Sequence, residues 1–347
     1  MRAAKESPMN TTATSMRAIV QDVYGPAEVL GLETIDRPVI GAGDVLIEVA
    51  AAGLDRGVEH LMTGLPLLIR LMGYGLTKPK NRVLGLDVSG TVVGVGDDVK
   101  RFALGDEVFG IGNGSFAQYA TADESKLAHK PASVTFEQAA VAAVSGITAL
   151  QALTTVGELQ PGGKVLIVGA SGSVGSYAVQ LAKALGGIVT GVASTPKVEF
   201  VRSLGADHII DYTREDFADG SDRFDLILDI GGRSSVRRLR GVLAATGTLV
   251  IVGGEGGGKL AGGIGRQLRA MLLSPFIKQR LTTFMSKENH TFMESLAEYI
   301  ERGEVTPAIG QQFKLDQVPE AMRQMAAGTL RGKSAIVIDE RAPDEAS

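Results

Sequence analysis

The run Lys164-Val-Leu-Ile-Val168 passes at once into Gly169-Ala-Ser-Gly-Ser-Val-Gly175 and then into a helical stretch reaching about Leu185. A compact apolar run bounded by turn residues suits a strand buried on both faces of a parallel sheet. The alternation continues through Ile188–Val192, a helix to Leu204, His208–Ile210, Phe224–Asp229, a helix near Ser234–Leu243, and Thr248–Val252. Strands spaced by helical segments in this way imply a doubly wound parallel sheet and an α/β fold. The alternation is expected to end at the glycine-rich stretch from Gly253 to Gly265.

The flanks read differently. Val45–Val49 and Gly90–Val95 are short apolar stretches among Gly and Asp turns, as in a β-rich unit. Between them, Leu61–Leu76 is rich in Leu and Met and reads as a helix or loop-helix insert, either local core or the lining of an apolar cleft. Near the C-terminus, Phe292, Leu296, Tyr299 and Ile300 mark one face of a helix stopping at Gly303. A helix over Val318–Ala327 with Asp316 as cap, and a strand over Ser334–Ile338, follow. This tail is too short for a third domain and is expected to return to the first. The expected organisation is a nucleotide domain, residues 139–285, inserted into a discontinuous β-rich domain of residues 16–138 and 286–347, after a disordered tail of residues 1–15.

Composition narrows the function classes. The chain has 347 residues, 45 of them glycine, and the glycines cluster between apolar runs as tight turns at strand ends require. The net charge is −4 and no basic stripe extends beyond Arg237, Arg238 and Arg240, so no nucleic-acid partner is expected. No apolar run is long enough for a membrane span, and no membrane partner is expected. The first fifteen residues are polar, without the apolar core of a signal peptide. The absence of cysteine excludes disulfides, thiolate catalysis and cysteine-ligated metals, and fits a reducing, cytoplasmic setting.

The loop Gly169–Gly175 lies between a strand and a helix, which is where a dinucleotide's pyrophosphate binds. Gly172 lets backbone approach the phosphates, Gly175 lets the helix pack closely, and the helix N-terminus offers free N–H groups. Ala170 stands where the dinucleotide fingerprint has its first glycine. An NAD site normally places an acid about 20 residues beyond the loop, yet no acidic residue occurs between Glu158 and Glu199. The second strand ends instead in Ala193-Ser-Thr-Pro-Lys197, where Ser194 can hydrogen-bond and Lys197 can neutralise a 2′-phosphate. These residues point to NADPH.

Ala170-Ser171-Gly172-Ser173-Val174-Gly175, followed by Gln180 and Lys183, resembles the nucleotide loop of the zinc-independent, quinone oxidoreductase branch of the medium-chain dehydrogenase/reductase superfamily, with Ser173 in place of the usual second glycine. The resemblance runs from Met16 to Ile338. It includes Ala51–Asp55, Val83–Gly90, Gly105–Phe109, Gly205–Asp207 and Gly332-Lys333, and the first-domain insert is similar to that of bacterial relatives of the reticulon-interacting oxidoreductases. It implies a Rossmann domain set into a GroES-like catalytic domain. It also implies that Ser171, Gly172, Ser173 and Val174 hold the pyrophosphate, that Tyr212 joins Ser194 and Lys197 near the 2′-phosphate, and that Thr148 sits by the cofactor. Gly253 and Gly254 would approach the nicotinamide, Lys333 would lie near the cleft, and two copies would pair through edge strands as a homodimer.

Zinc enzymes of the superfamily use a Cys, a His-Glu pair and a second Cys, and the matching residues here are Asp55, Leu86-Asp87 and Ser145. Asp55, Glu59, His60 and Asp87 offer an oxygen-rich alternative, but zinc prefers nitrogen and sulfur, so no metal is expected. Without a Lewis acid the hydride acceptor must already be electrophilic, which selects quinones and conjugated carbonyls. His60 could donate the proton and Asp55 could orient it or contact the nicotinamide side of the cleft; either could equally be structural. The alternatives are an enoyl or alkenal reductase and a non-catalytic NADPH-binding sensor.

Overall fold

The structure, a computed structural model, describes residues 14–220, 222–253, 263–330 and 332–338. The expected disordered tail falls outside these apart from its last two residues. Of those two, Ser15 already pairs with Asp36 as the first residue of β1 (Ser15–Val20).

Six strands form the parallel sheet: β8 (Lys164–Val168), β9 (Ile188–Ala193), β10 (His208–Asp211), β11 (Phe224–Asp229), β12 (Leu243–Ile251) and β13 (Arg280–Thr283). Their order is β10-β9-β8-β11-β12-β13, so the chain winds outward from β8 in one direction and then in the other. The switch lies between β8 and β11, where such sheets open a crevice at their carboxyl ends. Helices α4 (Ser173–Ala184), α5 (Val198–Ser203), α6 (Val236–Val242) and α7 (Ile264–Leu273) follow β8, β9, β11 and β12. Strand β8 shows why its sequence lacks alternation. Val165 and Ile167 pack with Tyr177 and Leu181 on one face, while Leu166 packs with Leu239 and Leu249 on the other.

The alternation does not end at the glycine-rich stretch, as the sequence had suggested, because α7 and β13 add one further unit. Strand β13 reads Arg-Leu-Thr-Thr with only Leu281 fully buried, so an edge strand of this kind leaves almost no hydrophobic signal.

The second, largely antiparallel sheet runs β14 (Ile309–Lys314), β15 (Lys333–Val337), β3 (Asp44–Leu54), β4 (Asp87–Val95), β5 (Glu107–Ile111) and β7 (Leu127–His129), with β6 (Tyr119–Asp123) also on β3. Beside it, β1 pairs with β2 (Gly31–Asp36). The C-terminal return is explicit: β15 lies antiparallel to β3, with Ser334 opposite Leu54. Helices α1 (Arg56–Thr63), α2 (Phe136–Ala140), α3 (Ala143–Gln151), α8 (His290–Glu301) and α9 (Val318–Ala327) complete the described chain. Helix α9 has the expected bounds, but Asp316 does not cap it. Asp316 sits inside a single tight turn, Leu315–Gln317, and the Gln317 side chain accepts from the Lys314 N–H at 2.9 Å.

Two glutamines clamp the returning chain. Gln180 on α4 donates to the Thr306 carbonyl and accepts from the Thr306 N–H, and Gln151 on α3 does the same with Lys287. Each buried amide is satisfied on both its ends, which fixes the return path.

Candidate active site

The nucleotide loop is built almost wholly from backbone. Gly169 takes φ +90°, which an L side chain rarely adopts. A Cβ on Gly175 would lie 2.1 Å from the Gly169 carbonyl oxygen, so only glycine lets α4 start this close to the strand end. Ala170 in place of the fingerprint glycine is accommodated from the neighbouring strand, because a Cβ on Gly191 would come within 3.1 Å of the Ala170 methyl. The first backbone bond of α4 runs from Ser176 N–H to Gly172 O at 2.9 Å. The N–H groups of Ser173, Val174 and Gly175 therefore have no acceptor within the helix. Gly172 precedes them as the cap residue and Ser171 is buried beside it.

The ends of β9 and β10 come together next to this loop. Asp211 is opposite Ala193, and the Tyr212 N–H donates to the Ala193 carbonyl at 3.1 Å, which sets Tyr212 beside Ser194. Tyr212 is exposed, and Lys197 is half-buried without an ion pair among the described residues. The structure adds an acid from the adjacent strand. Asp211 accepts from the hydroxyls of Thr195 (2.5 Å) and Thr213 (2.7 Å), and these bonds hold its carboxyl below the ordinary range. No spacing rule along the second strand could reveal it.

Helix α3, which packs on α4, meets the β-rich sheet at a buried charge cluster. Asp87, at the start of β4, accepts from the Val144 N–H of α3 at 2.8 Å through Oδ1, and from Lys333 Nζ of β15 at 2.6 Å through Oδ2. Both side chains are fully buried. Asp55 caps α1 by accepting from the Val58 N–H at 3.1 Å through Oδ1. Its Oδ2 has no hydrogen-bond partner and lies 3.9 Å from Lys333 Nζ. Burial pushes the Asp87 carboxyl up to about 6; Lys333 pulls it down and Asp55 pushes it further up. Gly53 on β3 makes room, since a Cβ there would sit 2.7 Å from Asp87 Oδ2 and 2.4 Å from the Ala140 carbonyl oxygen. On α4, the buried Tyr177 hydroxyl donates to the Val141 carbonyl at 2.9 Å, and burial raises its pKa well above the usual phenol value. The helix carrying the nucleotide loop is thereby tied to the segment that Asp87 anchors.

The sequence candidates divide accordingly. Thr148 is on α3, one turn after Val144, with its hydroxyl donated to the Val144 carbonyl at 2.7 Å. Lys333 faces the two aspartates rather than open solvent. Gly253 lies two residues beyond β12, where a Cβ would strike the Ile230 carbonyl oxygen at 2.0 Å, so packing alone already requires glycine there. Gly254 lies outside the described residues. His60 is exposed on α1 and its Nδ1 is 2.7 Å from the Leu65 carbonyl oxygen. Because a carbonyl only accepts, Nδ1 carries the hydrogen, and Leu65 rather than Asp55 orients the ring. The Lys333–Asp87 pair spans two strands far apart in sequence and was not legible as a pair, although both residues stand in motifs of the resemblance.

Two family models match the chain: an alcohol dehydrogenase GroES-like domain over residues 41–132 and a zinc-binding dehydrogenase over residues 204–336. NAD(P)H oxidoreductase RTN4IP1, mitochondrial, of Mus musculus is 32% identical, covering 95% of this chain and 91% of that one. The 2-methylene-furan-3-one reductase of Solanum lycopersicum is 31% identical, over 96% and 82%. The chain belongs to the medium-chain dehydrogenase/reductase superfamily, in its quinone oxidoreductase-like branch. Among solved structures, the quinone oxidoreductase from Coxiella burnetii has a TM-score of 0.82 at 28% identity, covering 94% of this chain and 100% of that one.

A zinc ion, which the second family model implies, does not fit the residues present. Leu86 offers no ligand atom. The Lys333 ammonium, 2.6 Å from Asp87 and 3.9 Å from Asp55, already holds the place of a cation between the carboxylates and would repel a divalent one.

Proposed function

We propose that this medium-chain enzyme reduces a quinone or a conjugated carbonyl compound with NADPH and without a metal. The observation that carries the reading is the Asp55–Lys333–Asp87 cluster at the position of the superfamily's zinc. With an ammonium and no Lewis acid there, the acceptor must itself delocalise the arriving negative charge. NADPH, when bound, supplies the hydride. The N–H groups of Ser173 and Val174, with Ser171 and Gly172, hold the pyrophosphate. Ser194, Lys197 and Tyr212 take the 2′-phosphate, Thr148 borders the nicotinamide half, and the backbone of Gly253 approaches the ring. The Arg214 guanidinium, 3.6 Å from Asp211 Oδ2, offsets the charge of that acid beside a 2′-phosphate.

Hydride addition leaves a quinone as its hydroquinone anion, which needs one proton. His60 is the candidate donor: with Nδ1–H held by Leu65, its Nε2 can gain and release that proton. Lys333 and Asp55 act through the framework rather than as direct ligands of the cofactor, since both are buried in the cluster. The division we propose places residues 16–138 and 286–347 in the catalytic unit and 139–285 in the NADPH-binding unit. The working state is a cytoplasmic homodimer.

The test is oxidation of NADPH, and separately of NADH, with a panel of simple quinones and one conjugated enal. Rapid turnover with quinones and NADPH supports the reading. Preference for the enal makes the protein an alkenal reductase, and tight NADPH binding with no turnover makes it a sensor.

A further inference from the structure

The insert after α1 supplies the Leu65 carbonyl to His60 and also exposes apolar side chains. Leu71, Leu76 and Met72 are 70%, 64% and 53% exposed, and Tyr74, Leu68 and Leu67 are exposed beside them. Six exposed large apolar side chains within ten residues are far denser than singly scattered surface hydrophobics. A polar framework beneath holds the segment in place. The Arg70 guanidinium lies over the Tyr24 ring and donates to the Gly64 carbonyl at 3.0 Å. The Tyr24 hydroxyl lies 2.8 Å from the carbonyl oxygens of both Tyr74 and Gly75, and the Lys80 N–H donates to the Tyr74 carbonyl at 2.8 Å. The apolar side chains are therefore presented on a preformed support.

The charge beside them has one sign. Between Glu59 and Asp87 the chain carries Arg70, Lys78, Lys80 and Arg82 and no acid. Arg82 is matched by Asp22 and Glu33 from outside the segment. Lys78 and Lys80 are exposed and make no ion pair among the described residues, although Asp22 is within Coulomb reach of Lys78. An exposed Leu, Met and Tyr surface rimmed by unpaired lysines is complementary to an anionic lipid surface, where apolar side chains enter the acyl boundary and ammonium groups meet phosphates. No helix among the described residues is long and apolar enough to cross a membrane.

We propose that Leu67–Leu76, with Lys78 and Lys80, docks the protein on the surface of an anionic bilayer. Docking would bring the catalytic site to the phase in which long-tailed quinones dissolve. That consequence rests on the function proposed above, whereas the docking itself does not.

The experiment is co-sedimentation of the full chain with vesicles of phosphatidylcholine alone and of phosphatidylcholine mixed with phosphatidylglycerol, without cofactor or acceptor, so that failure of the enzymatic reading leaves it untouched. The protein is expected to sediment with the mixed vesicles and to be released by salt. Leu71→Ser with Leu76→Ser should weaken binding by about tenfold or more while the melting temperature stays within a few degrees. Lys78→Gln with Lys80→Gln should lower binding to the mixed vesicles and leave the weak binding to neutral ones unchanged. Failure to bind mixed vesicles, or equal binding by the variants, overturns the proposal. So does sedimentation equilibrium showing that the leucine variant only dissociates a dimer, which would make a second copy the occupant.

Discussion

At the end of β8 the chain prepares for a ligand's charge with backbone alone, through Gly169, Gly172, Gly175 and the unpaired N–H groups that follow. Where α3 packs on the β-rich sheet the reverse holds: Asp55, Asp87 and Lys333 bring three ionisable side chains from three separate stretches into a buried cluster. The first arrangement costs little in the folded state because it puts no ionised side chain into the interior. The second is expensive, since removing charge from water is repaid only by close pairing. A local turn can supply the cradle, whereas only the assembled β3, β4, β15 and α3 can supply the cluster.

The sharpest way to break this contrast is to remove one member of the pair. Asp87→Ala should destabilise the fold by about 3–5 kcal/mol in urea unfolding, because it strands Lys333 and the Val144 N–H. The double variant Asp87→Leu with Lys333→Met should recover most of that loss. If the single change is mild, the cluster is not an anchor.

A pH series sharpens the same point. The folded Asp87 carboxyl, at about 6, binds its proton more tightly than the unfolded one at its ordinary value of 3.8. Folding therefore takes up a proton between these values. Stability from this group is greatest below about 3.8, falls as pH rises to about 6, and is flat above. The fall should be no more than about 3 kcal/mol, and its contribution should vanish in Asp87→Asn. An unchanged slope in that variant would assign the pH dependence to other groups.

In the cradle, Gly175→Ala should cost about 1–3 kcal/mol, measured by thermal melting, because its Cβ would press on the Gly169 carbonyl. Gly172→Ala should barely move the melting temperature, since its Cβ would meet only that same oxygen, at 3.3 Å, and should instead weaken NADPH binding. Equal losses of stability from the two would mean that both glycines serve packing.

The smallest effect concerns the cofactor's far end. Lys197→Glu should raise the KM for NADPH by about ten- to a hundredfold and leave that for NADH unchanged. A parallel rise for both would remove Lys197 from the phosphate pocket.

Strand β8, the glycine loop, α4, the bounds of β11 and the place of α9 were legible because each depends on neighbours in sequence: apolar runs, turn residues and helical periodicity. Strand β13 was not, because an edge strand buries too little to leave a pattern. The insert was legible as apolar but not as exposed, since burial is a property of what lies across from a side chain.

The sequence by itself determined the parallel α/β architecture, the nucleotide loop, and the lack of nitrogen and sulfur ligands where the superfamily binds zinc. Only the tertiary structure decided that Lys333 fills the space between Asp55 and Asp87, that Leu65 orients His60, and that Asp211 reaches the end of β9 from the next strand. The reason is physical. Propensities and turn geometry act over a few residues, but a buried ion pair forms only when the sheet brings β3, β4 and β15 together, with α3 packed against them.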